Sequence, residues 1–257
     1  MARRIILEVA VDSLEDAAAA ERGGADRLEL CGSLESHGLT PEADLVRKVR
    51  RKSGVPVMAM VRPAAGSFVA DREGVAALLW DAVQVLEAGA DGIVFGVLDG
   101  AGAVDARAVA SLVAVAKGRD TVFHRAFDLA PDPFNAVQIL IGAGVTRILS
   151  AGQSPVCAAR SLGVENPTSK SRSGPGALDA GRDSEAERRA RLRTLIERAA
   201  ARIEILPGGG VRAANVQGLL GATGATQVHS SSRVPGRPRV DPDELQRLRA
   251  AIDAVCA

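Results

Sequence analysis

Acidic, basic and imidazole side chains stand at the ends of short apolar runs along this chain. Glu8 and Glu29 end the first two runs, while His124 and His229 close two later ones. Carboxylates and imidazoles are the groups that proteins use for general acid–base catalysis, because their pKa values can be tuned towards neutrality. Such residues, brought together, would form an acid–base site, with a structural network of ion pairs as the alternative. The candidate catalytic residues are Glu8, Glu29, Arg62, His124, Asp128, Glu204 and His229.

A run of three glycines forms a second kind of candidate site. It follows an apolar run and precedes a predicted helix that begins near Arg212. Successive glycines let backbone N–H groups approach an anion, and a helix N-terminus adds partial positive charge. The pattern predicts phosphate binding, with a plain tight turn as the alternative. The predicted phosphate-binding residues are Gly208, Gly209, Gly210, Ser230 and Ser231.

Metal-binding and nucleotide-binding motifs are scarce. The sequence contains no CxxC, HxxxH or HExxH pattern, so a closed zinc site is not expected. Cys31 is the thiol expected near Glu29, and the thioethers of Met58 and Met60 are expected close by. Thiolate and thioether ligands suit Cu(I), which makes Cys31 the candidate metal ligand and a small buried side chain the alternative. The glycines at 96–102 lack the spacing of a dinucleotide fingerprint, so no nucleotide cofactor is expected.

The elements that would position these residues alternate regularly. Four similar segments, which start at Gly23, Ala88, Gly142 and Gly221, each end a helix-like stretch and lead into a short apolar run. Glycine supplies the left-handed residue that stops a helix, and a short loop then enters the next strand. With the runs between them, the chain has eight predicted strands and eight predicted helices. Strict alternation of this kind predicts a parallel sheet covered by helices.

Eight strand–helix units favour a single-domain (β/α)8 TIM barrel over residues 1–257, with an open doubly wound sheet as the alternative. About 250 residues is typical of such a barrel. Barrel sites lie at the C-terminal ends of the strands, and the loops after strands seven and eight often hold a phosphate. The candidate residues are therefore expected to converge on one mouth.

Residues near 153–183 interrupt this alternation after the sixth predicted strand. They are rich in Ser, Gly, Pro and Arg and poor in apolar residues. Such a composition predicts a flexible insertion in the barrel domain, with a lid over the site as the alternative.

Charge and cysteine content argue against several classes of protein. The chain has 32 Lys and Arg against 31 Asp and Glu, which gives no electrostatic reason to expect nucleic acid or an anionic membrane as partner. The apolar run after the basic N-terminus is too short for a signal sequence or a membrane span. Three scattered cysteines argue against a disulfide framework and for reduced thiols in the cytoplasm.

Several motifs together resemble the CutC copper-homeostasis family. They extend from the first predicted strand to the eighth, and the combination of the His-Arg-Ala-Phe-Asp and Pro-Gly-Gly-Gly blocks is highly specific. The motifs are Leu7-Glu-Val9, Gly24-Ala-Asp-Arg-Leu-Glu-Leu-Cys31, Gly38-Leu-Thr-Pro41, Val61-Arg-Pro63, Phe95-Gly-Val-Leu98, Thr121-Val-Phe-His-Arg-Ala-Phe-Asp128, Arg147-Ile-Leu149, Ile203-Glu-Ile-Leu-Pro-Gly-Gly-Gly-Val211 and Val228-His229.

This resemblance implies a cytoplasmic barrel, often oligomeric, that is associated by name with copper tolerance and copper binding. Two functional hypotheses follow. The chain is a copper-binding homeostasis protein, or it is a barrel enzyme that acts by acid–base chemistry on a small anionic or phosphorylated metabolite. In both cases we expect a homo-oligomer with neither nucleic acid nor membrane as partner.

Overall fold

The structure, a computed structural model, describes residues 4–153, 158–159, 183–234 and 238–256. Eight strands and eight α-helices alternate within these ranges, and a short 3-10 helix at Arg125–Leu129 follows the fifth strand. The strands are β1 Ile6–Val11, β2 Arg27–Leu30, β3 Val57–Val61, β4 Gly92–Phe95, β5 Asp120–Phe123, β6 Arg147–Ser150, β7 Glu204–Pro207 and β8 Gln227–Ser230. The helices are α1 Leu14–Arg22, α2 Ala43–Lys52, α3 Arg72–Glu87, α4 Ala106–Ala116, α5 Pro133–Ala143, α6 Glu185–Ala199, α7 Val216–Thr223 and α8 Pro242–Cys256.

The strands form one parallel sheet that curves into a nearly closed barrel. Hydrogen-bonded neighbours follow the chain from β1 to β7, and β8 returns to pair with β1. The register places Glu8 opposite Arg27 on one side and His229 on the other. The predicted (β/α)8 barrel is therefore confirmed.

Side chains alternate between the barrel interior and the layer between strands and helices. In β2, Leu28 and Leu30 pack in the outer core, whereas Glu29 lies with the interior residues. This alternation is the period of two that a strand imposes. The interior is apolar towards β3–β7, with a buried cluster made of Cys31, Met58, Met60, Val94, Val122, Leu149 and Leu206.

Charged and polar residues occupy the other side of the interior, on β8, β1 and β2. Glu8, Arg27, Glu29 and Gln227 are all buried there. Buried charges are tolerated only when they pair with one another or with a ligand. The barrel is therefore divided into an apolar half and an ionised half.

Two helices begin with a side-chain cap. Ser13 accepts a hydrogen bond from the amide of Asp16, and Asp132 accepts from the amides of Phe134 and Asn135, with Pro133 in the first turn of α5. These contacts satisfy amides that have no partner inside a helix.

The predicted insertion near 153–183 falls mainly outside the described residues. Within the described part of the chain, no helix combines the length and the apolar character that a membrane span needs.

Candidate functional site

A cavity of about 240 Å³ opens at the C-terminal ends of the strands. Residues from seven of the eight strands or the loops that follow them border it, so the barrel brings together side chains that are far apart in sequence. The predicted site residues on its wall are Glu29, His124, Gly209, Gly210, His229, Ser230 and Ser231.

A row of three ionisable side chains lies on the ionised side of this cavity. Glu8 is fully buried, and its Oε2 accepts a hydrogen bond from Arg27 Nε at 2.5 Å. Its Oε1 lies 2.8 Å from Nδ1 of His229. On the other edge of the imidazole, Nε2 of His229 lies 3.7 Å from Oε2 of Glu29. The row thus consists of Glu8, His229 and Glu29. Arg27 binds its buried end, and Glu29 lies at the cavity wall.

The surroundings of Glu8, Glu29 and His229 shift their pKa values in different directions. Burial raises the pKa of Glu8, but the charges of Arg27 and His229 outweigh it and bring the value to about 2. Burial and the charge of Glu8 raise the pKa of Glu29 against the opposing effect of His229. Burial lowers the pKa of His229, yet the carboxylates of Glu29 and Glu8 leave it raised. Glu8 stays ionised, while Glu29 and His229 compete for a proton.

The row is better arranged for proton transfer than for a metal ion. One ligand atom from each of Glu8, Glu29 and His229 lies within 4.8 Å of the others. Both oxygens of Glu8 are already engaged, by Arg27 and by His229. The guanidinium of Arg27 would also repel a cation at this distance.

His124 faces the cavity in its neutral form. The residue is 5% exposed and follows β5, and its Nδ1 accepts a hydrogen bond from the amide of Ala126 at 3.1 Å. Burial, together with the charges of Arg62 and Arg125, lowers the pKa of His124 to about 3. A neutral imidazole that accepts at Nδ1 carries its proton on Nε2. Among the described residues that Nε2 has no hydrogen-bond partner.

Arg62 shapes the mouth through backbone contacts. Its Nη1 donates to the carbonyls of Ser36 at 3.1 Å and His37 at 3.2 Å, and its Nη2 donates to the carbonyl of Gly66 at 3.1 Å. The guanidinium also lies 4.6 Å from the centre of the Phe68 ring. Arg62 therefore fixes the loop between β2 and α2, and this loop brings His37, which has a φ of 60°, to the cavity wall.

The glycine run offers two of its three amides to the cavity. Gly208 donates its N–H to the carbonyl of Ser150 at 2.9 Å, which extends the sheet. The N–H groups of Gly209 and Gly210 find no acceptor among the described residues. Both have left-handed backbone, with φ of 72° and 105°, which favours glycine at these two positions.

The helix after the glycine run begins later than predicted. Residues 212–215 form a turn in which the amide of Arg212 donates to Asn215 Oδ1 and that of Ala213 to Glu244 Oε1. Helix α7 starts only at Val216. The prediction of a helix N-terminus near Arg212 was wrong, because side-chain acceptors hold these amides in a turn.

Arg212 supplies the positive charge that the helix does not. Its Nη1 lies 3.3 Å from the Ser230 hydroxyl, and its Nη2 lies 3.4 Å from the Ser231 hydroxyl and 3.0 Å from the carbonyl of Arg233. No carboxylate of the described residues forms an ion pair with it. Arg212, Ser231 and the Gly210 amide thus surround one side of the cavity with donors.

Asp128 lies behind the site. Its Oδ1 accepts from the Ser150 hydroxyl at 2.6 Å, and its Oδ2 accepts from the amide of Ala151 at 3.0 Å and from Arg125 Nε at 3.2 Å. These contacts position Arg125, which borders the cavity. Asp128 thus affects the mouth indirectly, by positioning Arg125.

The prediction that Glu204 joins the mouth was wrong. Glu204 is the first residue of β7, so it lies at the end of the barrel opposite to the mouth. Its side chain is 52% exposed and pairs with Arg147 at 2.7 Å. Because β7 has only four residues, its first residue lies at one end of the barrel and its last residue at the mouth.

Two important basic residues were missed in the sequence. Arg212 lies two residues after the glycine run, and that position after an anion loop was a usable signal. Arg27 lies two residues before Glu29 and so shares its face of β2, which the strand period predicts. Its contact with Glu8 depends on the pairing of β1 with β2, which the sequence alone does not reveal.

Cys31 is buried among soft side chains next to this site. Its Sγ lies 3.8 Å from Oε2 of Glu29 and belongs to the same interior cluster as Met58 and Met60. Burial, with the nearby carboxylate of Glu29, raises the pKa of Cys31 well above its ordinary value. The donor types suit Cu(I), but binding would have to displace the thiol proton.

Comparison with known proteins identifies the family. The CutC family model matches residues 5–163 and 177–234. A CutC family protein of Treponema denticola is 37% identical over 227 residues, which cover 88% of this chain and 81% of that protein. The human copper homeostasis protein cutC homolog is 35% identical over 241 residues, covering 90% of this chain and 75% of that protein. The crystal structure of the copper homeostasis protein CutC of Streptococcus agalactiae superimposes with a TM-score of 0.73 at 27% identity, covering 92% of this chain and all of that one.

Proposed function

The chain belongs to the CutC family, and we propose that its barrel mouth binds a small anionic or phosphorylated metabolite and acts on it by acid–base chemistry. One observation carries this proposal. The buried row of Glu8, His229 and Glu29 opens onto the same cavity as Arg212 and the free amides of the glycine run. A proton-handling group and an anion-binding group on one small cavity are the two parts that such an enzyme needs.

The charge around the mouth supports an anionic ligand. Arg188 donates to the carbonyls of Ala151 at 2.9 Å and Gly209 at 2.8 Å, and Arg212 is likewise held by carbonyls and hydroxyls. Within the described ranges neither guanidinium forms an ion pair with a carboxylate. Burial lowers the pKa of both arginines. An anion in the cavity would form an ion pair with Arg212, which borders it.

The acid–base roles fall to Glu29 and His229. Glu8 stays ionised and accepts from Nδ1 of His229, which turns Nε2 towards Glu29. Of the residues in the row, Glu29 and His229 border the cavity. They are therefore placed to exchange a proton with a bound molecule, and Glu8 with Arg27 holds them in position.

Inorganic phosphate is the simplest probe of the anion site. Calorimetric titration should detect phosphate binding to the native protein, and Arg212→Gln should weaken that binding at least about tenfold, the loss of one charged hydrogen bond. Arg193→Gln, which removes an exposed guanidinium on α6, is the matched control and should bind like the native protein. Equal binding by all three proteins, or none by the native one, contradicts the anion site.

Copper binding is the second candidate, favoured by the grouping of Cys31 with Met58 and Met60 and by the name of the family. The reduced protein should take Cu(I) from a chelator with modest affinity, and Cys31→Ser should abolish this. Cys157→Ser also removes one thiol and is the matched control. If Cys31→Ser binds as well as the control, Cys31 serves packing only.

Location and assembly are further parts of the proposal. The unpaired thiol of Cys31 supports the cytoplasm, where cysteines stay reduced. Trp80 on α3 is 67% exposed, and such aromatic residues are enriched at protein interfaces, which supports a homo-oligomer. Light scattering of the native protein and of Trp80→Ser would test the assembly.

A further inference from the structure

Building on the function proposed above, we propose that the ligand is a small phosphorylated α-hydroxyketone or α-hydroxyaldehyde. In this proposal the phosphate lies against Gly209, Gly210 and Arg212. The carbonyl oxygen accepts a hydrogen bond from His124, and Glu29 takes a proton from the carbon next to the carbonyl.

The size of the cavity limits the ligand. Its volume of about 240 Å³ is below the 300–1,000 Å³ that is usual for sites of drug-sized ligands. A phosphate with a few carbon atoms fits such a space. The class of ligand is therefore a phosphate ester of a short carbon chain.

Two unsatisfied atoms on the cavity-lining residues specify the other end of the ligand. Within the described residues, neither Oε1 of Glu29 nor Nε2 of His124 has a hydrogen-bond partner, and both atoms are buried. A buried polar group without a partner costs about 1–3 kcal/mol, so two such atoms on residues that line one cavity favour binding of a polar ligand there. One atom accepts and the other donates. The ligand must therefore present both an acceptor and a proton.

A carbonyl group is the acceptor that matches His124. The amide of Ala126 donates to Nδ1, which keeps the imidazole neutral and leaves its proton on Nε2. A fixed neutral donor stabilises an oxygen that gains negative charge during a reaction, because it needs no reorganisation when the charge develops. Its neutral N–H suits an uncharged carbonyl oxygen in the substrate.

The surroundings of Glu29 leave one oxygen for the ligand. Its Oε2 is approached by His229 Nε2 at 3.7 Å and by Cys31 Sγ at 3.8 Å. Its Oε1 is left for the substrate. The carboxylate is thus held from one side and available on the other, as a base that removes a proton from carbon must be.

The proposed step is a proton transfer from the substrate carbon to Glu29. Oε1 of Glu29 takes the proton from the carbon that bears the hydroxyl group, and the C–H electron pair becomes the second bond to the carbonyl carbon. The carbonyl π pair moves onto the oxygen, which is stabilised by the Nε2–H of His124. Return of a proton from Glu29 to the same carbon regenerates the substrate, so that in heavy water the carbon gains deuterium.

Hydrogen exchange followed by NMR tests this proposal. Glyceraldehyde 3-phosphate and dihydroxyacetone phosphate, incubated with the protein in D2O, should lose the signal of the hydrogen on the hydroxyl-bearing carbon next to the carbonyl faster than without protein. Glu29→Gln should lower this rate at least about 100-fold, and His124→Gln about 100- to 1,000-fold, which are the usual effects of losing a base or a donor. Both variants should keep native circular dichroism and native affinity for inorganic phosphate, and Arg193→Gln should exchange like the native protein.

Binding of 2-phosphoglycolate gives a second measurement that does not depend on turnover. Its carboxylate resembles the charged oxygens of the deprotonated intermediate, so it should bind at least about tenfold more tightly than inorganic phosphate, and His124→Gln should remove this advantage. If phosphate binds but neither exchange nor tighter binding of 2-phosphoglycolate is observed, the substrate class is wrong and the anion site stands. If phosphate and 2-phosphoglycolate both fail to bind, the proposed function itself is wrong.

Discussion

At the scale of single residues, Arg27 determines the state of the buried row. It is 7% exposed, donates to Glu8 through Nε and donates to Gln227 Oε1 at 2.9 Å through Nη2. Glu8 can stay charged in the barrel interior only because this guanidinium is beside it. The orientation of His229 depends in turn on the ionised Glu8. Arg27 is therefore a positioning residue that acts on the cavity through two others.

Replacing Arg27 with methionine should leave the charge of Glu8 buried without its partner. We expect Arg27→Met to lower the free energy of unfolding by about 3–5 kcal/mol, the usual cost of breaking a buried ion pair. Arg4→Met is the matched control, because Arg4 pairs with Asp26 at the surface with its side chain 67% exposed. It should cost about 0–1 kcal/mol. Urea denaturation of the native protein and the two variants at pH 7 measures both changes in unfolding free energy. Similar changes in the two variants would show that the buried charge of Glu8 does not depend on Arg27.

His229 should make stability depend on pH. Its pKa in the folded protein is raised above 6.5. Its contribution is therefore fully present below pH 6.5 and is lost as the pH rises through the folded value. We expect the difference in unfolding free energy between the native protein and His229→Gln to shrink between pH 6 and pH 9. Urea titrations at intervals of one pH unit measure this, and a difference that grows with pH would contradict the raised pKa.

The limits of sequence reasoning are clear at this scale. Glu29 and His229 could be placed at the mouth because each ends an apolar run, and a strand end is a local property. Glu204 was misplaced because it lies within an apolar run and was grouped with the residues at strand ends, whereas it begins the strand. The pairing of Glu8 with Arg27 and His229 depends on the register between strands, for which a single sequence contains no signal.

At the scale of elements, the local signals for helices and strands were reliable. The apolar runs and glycine stops correctly predicted eight strands and eight helices, because these signals lie within or next to each element. Helix α7 is the exception. The acceptor of the Ala213 amide is Glu244 on α8, which is remote in the sequence. An element boundary that depends on a tertiary contact cannot be predicted from its own residues.

The glycine run should not tolerate a side chain at its second position. A Cβ at Gly209 would lie 2.6 Å from the Cβ of Ala151, and its φ of +72° is strained for other residues. Gly209→Ala should therefore lower the free energy of unfolding by about 1–3 kcal/mol. Gly209→Asp adds a negative charge to the same Cβ, so it should destabilise the fold as well as block the anion.

Gly142 provides the control for this prediction. It lies in α5, and a Cβ added there would meet no neighbouring atom within 4 Å, so Gly142→Ala should raise the free energy of unfolding by about 0.5–1 kcal/mol. Thermal denaturation of the two alanine variants should thus shift in opposite directions. A neutral Gly209→Ala would show that the loop can move, and the assigned position of its amides would have to be revised.

At the scale of the whole molecule, the barrel follows from repetition. Each strand–helix unit carries its own start and stop, so eight of them in succession define the architecture even though no single unit does. The division of the interior into an apolar and an ionised half follows from which strands carry charged residues at inward positions. This division places the proton-handling row on β8, β1 and β2, next to the anion donors of the loops after β7 and β8. Closure of the barrel therefore brings the proton-transfer residues next to the anion-binding residues.

Replacing the segment after β6 would test whether the barrel is stable without it. Residues near 153–183 are poor in apolar side chains, and loop length changes stability only slowly, so the segment should add little to the folded state. Replacing 160–182 with a short Gly/Ser linker should shift the melting temperature by no more than about 2–4 °C, which corresponds to roughly 1 kcal/mol in a protein of this size. Differential scanning calorimetry measures the shift, and phosphate titration of the same variant reports on the mouth. A drop in melting temperature well beyond that range would show that the segment packs on the barrel. An unchanged melting temperature with lost phosphate binding would instead favour a lid over the cavity.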